Sequence, residues 1–156
     1  MRNMMSGVLL LLLVVAGCSG AGNEAGARTV SASAVSLSIA TATKTHVFRI
    51  EVARTEAQQE RGLMFRDHLA PDRGMIFPMN PPRFASFWMK NTVIPLDMIF
   101  IRADGSIARI AANTIPYSLA PVSSGEPVAA VLEIAGGRAA ELGIAEDDKV
   151  VWTDKP

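Results

Sequence analysis

The chain has almost no cysteine, and this limits both its chemistry and its means of stabilisation. Of 156 residues only Cys18 is a cysteine, so no disulfide can form within the chain. Histidine is nearly as scarce: His46 and His68 are the only two, and neither belongs to a metal-ligand spacing such as His-Glu-x-x-His. Gly136-Gly137 lacks the further glycines of a dinucleotide-binding loop. The sequence therefore predicts no metal and no cofactor.

An excess of charge of one sign is also lacking. The chain has 15 Lys and Arg against 15 Asp and Glu, with no basic run or stripe. Proteins that bind nucleic acid neutralise phosphates with clustered basic residues, so the composition argues against such a partner. No serine lies in a Gly-x-Ser-x-Gly turn, so no hydrolase triad is indicated either.

No apolar run is long enough to span a membrane as a helix. The strict run from Val8 to Val15 is less than half of the about 20 residues that a span requires. Arg2 precedes the run, and the small residues Ala16 and Gly17 follow it. This order of charged, apolar and small residues is typical of an export signal. The sequence predicts a cleaved signal peptide over residues 1–17.

The residues around Cys18 carry a more specific signal. Val15-Ala16-Gly17-Cys18 resembles the lipobox of bacterial lipoproteins, in which the cysteine thiol receives a diacylglyceryl group and becomes the new N-terminus. The resemblance implies lipidation of Cys18 and a lipid-anchored protein of the bacterial cell envelope that faces the periplasm. Ser19 favours the outer over the inner membrane, by similarity to enterobacterial sorting. Conventional cleavage without lipid is the competing interpretation.

Composition divides the remaining chain into two parts. Residues 18–44 are rich in Ala, Ser, Gly and Thr, and such a segment buries too little apolar surface to offset its ordering entropy. We therefore predict a flexible tether over 18–44. The alternative is an edge strand within Ala34–Ala40, where apolar residues alternate with small ones. Residues 45–156 have the length of one globular domain.

The residue pattern of the domain predicts many short strands and two short helices. Alternating residues from Thr45 to Ala53 predict a half-buried strand. The capping-box sequence at Thr55 predicts a helix over Glu56–Arg61 that ends at Gly62, after which residues 63–65 should enter the core.

Further elements follow the same logic. Asp104-Gly105 predicts a hairpin, Pro78–Arg83 an extended loop and 136–142 a second helix. The fold class is thus mostly β (α+β), a small barrel or strongly curved antiparallel sheet. The other predicted strands are Met75–Phe77, Phe84–Lys90, Leu96–Arg102, Pro127–Ile134 and Lys149–Thr153.

Several segments together resemble a known family, domain-of-unknown-function family 192, which is widespread in prokaryotes. The resemblance implies a compact, mostly β fold and no particular reaction. The segments are Gly62-Leu63-Met64-Phe65-Arg66, Gly74–Phe77, Phe87–Thr92, Ile94–Ile101, Asp104-Gly105 and Val131-Leu132-Glu133.

Asp97 is the most informative polar residue of the domain. By strand alternation it shares an apolar face with Ile99 and Ile101, so it must be hydrogen-bonded, paired or protonated. One interpretation is a site with Lys90 and Asp97 at its lip. The other is a clamp, in which Asp97 caps the turn of residues 91–94 and Lys90 neutralises it.

Glu133 is a second acid at the end of an apolar strand. Two carboxylates in different environments could divide the roles of acid and base, which would make the protein an enzyme that uses Asp97 and Glu133. The structural alternative is that Glu133 bonds the N–H groups that open the following helix.

The sequence thus favours a non-catalytic binding module for a small ligand or an envelope protein. We expect an apolar pocket near Phe84, Phe87, Trp88 and Pro95. An enzyme and a purely structural lipoprotein are the alternatives, and the oligomeric state is open. The candidate binding residues are Trp88, Lys90, Asn91, Asp97 and Glu133.

Replacement of Cys18 tests the predicted anchor. Cys18→Ala removes the acceptor thiol, so the protein should accumulate uncleaved or soluble. Partitioning between detergent and aqueous phases measures this directly. A variant that still partitions into detergent like the wild type would argue against lipidation.

Overall fold

Seven strands form one sheet that curls into a half barrel, and two short helices pack against it, as the sequence predicts. The computed structural model describes residues 34–153. No helix within these residues is long and apolar enough to cross a membrane. In chain order the elements are β1 (Val35–Ala40), β2 (Thr45–Val52), α1 (Glu56–Arg61), β3 (Arg73–Phe87), β4 (Leu96–Ile101), β5 (Ile107–Thr114), β6 (Val122–Ala135), α2 (Arg138–Leu142) and β7 (Lys149–Trp152).

The strand order is β5-β4-β6-β3-β2-β1-β7, and every neighbouring pair is antiparallel except β2 with β3. The two ends of the sheet also touch. The Ile107 N–H donates to the Asp148 carbonyl at 2.9 Å, and the Val150 N–H donates to the Gly105 carbonyl at 2.8 Å. A side chain at Gly105 would place its Cβ 2.8 Å from the Val150 carbonyl oxygen, so this close approach requires glycine.

Apolar side chains pack on both faces of the sheet. Successive residues of a strand point to opposite faces, so Ile99 and Ile101 of β4 enter one cluster while Met98 and Phe100 enter the other. The first cluster draws on strands from both ends of the sheet and fills the inside of the curl. The second lies on the outer face, beneath α1 and the loops. All six residues of β4 are buried because both of its faces are covered.

β1 corrects the predicted domain boundary. Leu37 and Ile39 are fully buried, and β1 pairs with β2 on one side and β7 on the other. The prediction of a tether that runs to residue 44 is therefore wrong for residues 35–44. The alternative, a strand within Ala34–Ala40, is confirmed, although β1 lies between β2 and β7 and is not an edge strand. The predicted signal peptide and Cys18 lie outside the described residues.

Two further expectations fail for local reasons. The segment Pro78–Arg83, predicted as a loop, lies within β3, at a point where the ladder with β6 shifts register. Its prolines cannot donate ladder hydrogen bonds, and such residues are accommodated at irregular points of a sheet. Phe65, predicted to enter the core with Leu63, is exposed, whereas Leu63 is buried.

A substitution in β1 tests the corrected boundary. Leu37→Ala should lower the free energy of unfolding by about 2–5 kcal/mol, because it leaves a cavity in the inner cluster. Ser36→Ala is the matched control, since Ser36 is exposed on the same strand. Denaturant unfolding of both variants measures the difference. Equal stabilities would place this segment outside the fold.

Candidate functional site

An open cleft of about 1050 Å³ lies on the outer face of the sheet, where α1 and the loops cover it. Residues 57–65 and 83–92 supply most of its lining, and Glu133 of β6 joins them. Phe77 and Met79 of β3 also line the cleft and are themselves buried in the outer cluster. The floor of the cleft is therefore apolar.

α1 brings the first lining segment to the cleft. Its capping box forms as predicted: the Gln58 N–H donates to Thr55 Oγ1 at 3.2 Å, and the Thr55 N–H donates to Gln58 Oε1 at 3.0 Å. The helix ends at Gly62, whose φ is 46°. A Cβ at Gly62 would lie 3.3 Å from Cζ of Phe77, so glycine lets the chain turn close above the floor.

Exposed apolar side chains concentrate on three segments beside the cleft, and three of them, Phe65, Phe84 and Trp88, line it. The described residues include nine exposed large apolar side chains, and seven of them lie on segments 63–66, 84–93 and 115–119. Hydrogen bonds join these segments: the Phe65 N–H donates to the Asn91 carbonyl at 2.9 Å, and the Met89 N–H donates to the Ser118 carbonyl at 2.9 Å. We call the seven side chains the aromatic rim: Phe65, Phe84, Trp88, Val93, Ile115, Tyr117 and Leu119.

Glu133 contributes a buried acid to the cleft. Its residue is 5% exposed and lines the cleft. Within residues 34–153 its carboxyl forms no hydrogen bond or ion pair, but it is not sealed from solvent, since His46 Nε2 is the only fully buried side-chain nitrogen or oxygen atom there without a partner. Burial raises its pKa to about 8, because an ionised carboxylate is poorly solvated among apolar neighbours. The carboxyl is thus protonated at neutral pH. It presents one O–H donor and free acceptor capacity to the cleft.

The mouth of the cleft carries an excess of positive charge. Arg61, Arg83 and Lys90 line it and are exposed, and none forms an ion pair with another described residue. Glu60 is the only acid that lines the cleft besides neutral Glu133. Lys90 Nζ lies 5.1 Å from the centroid of the Trp88 ring, a cation–π contact. An anionic group at the mouth would meet three cations without displacing any ion pair.

Asp97 acts as a clamp, but not on the turn that the sequence suggests. It is fully buried, and its Oδ1 accepts the N–H groups of Asn113 at 2.8 Å and Gly137 at 2.9 Å. Its Oδ2 accepts the N–H of Ala139 at 2.8 Å. These bonds hold the end of β5 and the start of α2, whose N-cap Gly137 has no side chain to cap it. The predicted neutralisation by Lys90 is wrong, since Lys90 lies over Trp88.

The two buried acids lie on opposite faces of the sheet. In the β4–β6 ladder Asp97 pairs with Ile134, while Met98 pairs with Glu133. Ile134 belongs to the inner cluster and Met98 to the outer one. Asp97 and Glu133 therefore cannot share a reacting group as a paired acid and base. Within residues 34–153 no three His, Cys, Asp or Glu side chains come together as metal ligands.

The roles predicted for the two acids are thus exchanged. Asp97, and not Glu133, bonds the N–H groups that open α2. Trp88, Lys90, Asn91 and Glu133 line the cleft, whereas Asp97 does not.

Sequence reasoning missed the part of the lining that follows α1. Residues 61–65 were predicted as a helix end and core segment, yet Arg61 and Phe65 are exposed at the mouth. The sequence did not distinguish Arg61 from an ordinary basic residue in the last turn of a helix. Arg83 was missed because it falls in the segment predicted as a loop.

The fold and the site define a class of protein: a small curled β domain with an open, apolar, cation-rimmed cleft on its outer face. The chain belongs to domain-of-unknown-function family 192, described as "Uncharacterized ACR", whose sequence profile matches residues 38–152. Three segments that carry the family resemblance, Gly62–Arg66, Phe87–Thr92 and Val131–Glu133, contribute residues to the cleft.

Two solved structures are similar over most of the chain. One is a protein of unknown function from Novosphingobium aromaticivorans, with 52% identity and a TM-score of 0.75; the match covers 76% of this chain and 85% of that one. The other, from Sinorhizobium meliloti, has a name that suggests a transcription regulator. It has 42% identity and a TM-score of 0.76, over 79% of this chain and 96% of that one. No curated protein matches significantly.

Asp97→Asn tests the clamp. An amide offers one acceptor oxygen and turns its NH₂ toward a backbone N–H, so at least one of the three bonds is lost. The free energy of unfolding should fall by about 1.5–3 kcal/mol for each bond lost. Glu133→Gln is the matched control: at about pH 6 it exchanges one neutral side chain for another and should change stability little. Similar losses in both variants, measured by thermal and denaturant unfolding, would contradict the clamp.

Proposed function

We propose that this protein is a lipid-anchored binding module of the cell envelope, whose cleft binds a small ligand through Glu133. The lipid would be carried by Cys18, with the domain facing the periplasm and the outer membrane favoured over the inner. The ligand would have an apolar body for the cleft floor and a polar group within reach of Glu133. An anionic group would suit the cations at the mouth.

The nearly buried carboxyl of Glu133, which faces the cleft and forms no bond with another described residue, carries the proposal. A carboxyl that reaches solvent only through a largely apolar cleft is poorly solvated, and in native proteins most polar groups in such places are hydrogen-bonded. Glu133 could have been replaced by an apolar residue if packing were its only role, because its neighbours Met75 and Met98 are apolar. A ligand group that accepts a hydrogen bond from the Glu133 O–H would give this carboxyl a partner.

The dimensions of the cleft agree with a small-molecule site. Such sites are concave, mostly apolar and of about 300–1,000 Å³, with a few polar groups that fix orientation. The floor of Phe77 and Met79 and the single buried acid match that description.

A role on DNA has no comparable support. A protein that binds nucleic acid needs a basic surface, and this chain has equal numbers of acidic and basic residues. The regulatory name of the Sinorhizobium relative belongs to that protein.

Native mass spectrometry of the protein purified from envelopes, with and without changes at Glu133, tests the proposal. The wild type should carry a bound species. Glu133→Gln keeps a donor and an acceptor and should retain it, whereas Glu133→Leu should weaken retention about two- to tenfold, the value of one hydrogen bond. A bare mass for the wild type, or equal retention by Glu133→Leu, would argue against this role.

The pH dependence of retention adds a second readout. If the protonated carboxyl donates to the ligand, binding is intact well below the pKa of about 8 and is lost as the pH rises through it. The wild type should therefore retain the species at about pH 6 and release it at about pH 9.5. The Glu133→Gln variant has no such proton and should show no change. Equal release at high pH from the wild type and from Glu133→Gln would show that ionisation of Glu133 does not cause the release.

A further inference from the structure

We propose that the aromatic rim docks on the surface of an anionic lipid bilayer. The proposal rests on the membrane anchor included in the proposed function, but it concerns a different surface and makes a separate demand. It requires that the rim, and not merely the N-terminus, contact lipid.

Two exposed rings of the rim belong to residues with a strained backbone. Phe65 has φ of 62° and Tyr117 has φ of 61°, a left-handed conformation that bulky residues rarely adopt. Such conformations persist only where surrounding bonds enforce them. Here the Phe65 N–H donates to the Asn91 carbonyl at 2.9 Å, and the Tyr117 N–H donates to the carbonyl of the adjacent Thr92 at 3.1 Å. The adjacent residues Asn91 and Thr92 thus hold both strained residues in place, and the loop of Phe65 lies next to the loop of Tyr117.

The exposure of these rings has no explanation within the domain. Phe65 is 65% exposed, Tyr117 61% and Trp88 50%, and none of the three belongs to the inner or the outer cluster. Scattered exposed apolar residues are ordinary, but a contiguous patch marks an interaction surface. Outside the rim, the only large apolar side chains exposed in residues 34–153 are Val47 and Val151, on strands β2 and β7.

The charges of the rim are complementary to an anionic lipid surface. Arg61, Arg83 and Lys90 lie among the rings and have no ion pair with a described residue. Aromatic rings beside Lys and Arg are the composition of surfaces that lie in the headgroup region of anionic bilayers.

The length of chain before the domain keeps a bilayer within reach. Residues 18–34 precede β1, and 17 residues span at most about 60 Å even when fully extended. If Cys18 carries lipid, the start of β1 therefore stays within about 60 Å of the membrane. At that distance even a weak surface affinity is effective, because docking is intramolecular.

The two tryptophans of the chain allow a test that reads the rim itself. Trp152→Phe leaves Trp88 at the rim as the only tryptophan, and Trp88→Phe leaves Trp152, which packs against the inner cluster. The full chain is reconstituted in vesicles of phosphatidylglycerol and phosphatidylcholine with brominated acyl chains. We expect Trp88 emission to shift to shorter wavelength and be quenched, and Trp152 emission to be unaffected.

Charge removal provides the matched control. Arg83→Gln should shift the ratio of docked to free protein about fivefold toward the free form, the effect of one cation near an anionic surface. Arg49→Gln should not, since Arg49 is exposed on β2 and does not line the cleft. Phe65→Ser together with Tyr117→Ser should abolish the response of Trp88.

Three results would overturn the proposal. The absence of a Trp88 response in a protein that remains vesicle-bound would leave the anchor and the cleft intact but exclude docking of the rim. Equal quenching of Trp88 and Trp152 would show contact that is not specific to the rim. A Trp88 response only when envelope proteins are added, and not with lipid alone, would assign the rim to a protein partner.

Discussion

Three backbone N–H groups converge on the carboxylate of Asp97, and the arrangement of the outer face depends on that convergence. Asp97 lies on β4 and holds both the end of β5 and the start of α2. Because α2 follows β6 directly, its position fixes the end of β6 and therefore the register of the β4–β6 ladder. That register places Ile134 inside the curl and Glu133 in the cleft. The clamp on one face thus positions the buried acid on the other.

Close packing reinforces the same junction. The Gly136 N–H donates to the Pro95 carbonyl at 3.0 Å, and a Cβ at Gly136 would lie 2.8 Å from the Cβ of Pro95. Glycine is therefore required where β6 passes the residue before β4. A shift of one residue in this ladder would exchange the two faces of β6 and bring Glu133 into the inner cluster.

Local signals in the sequence were sufficient for much of the fold. The capping box at Thr55 and the glycine at position 62 define α1 to the residue, because both act on adjacent backbone groups. The exchange of roles between Asp97 and Glu133 could not be foreseen, since both acids sit in apolar strands and only the pairing of β4 with β6 decides which N–H groups each can reach. β1 was underestimated because its small residues resemble a linker, whereas its two neighbouring strands bury Leu37 and Ile39.

The pairing of β1 with β7 has a consequence for how the chain folds. Leu37 pairs with Trp152, so strands from opposite ends of the domain must meet before the sheet is complete. Contacts between residues so distant in sequence form slowly, because a long loop must close first. During synthesis, β1 has no outer neighbour until the last strand has emerged. The sheet can therefore close around β1 only after the whole of the described domain has been synthesised, because β2 and β7, its two neighbours, lie at opposite ends of that domain.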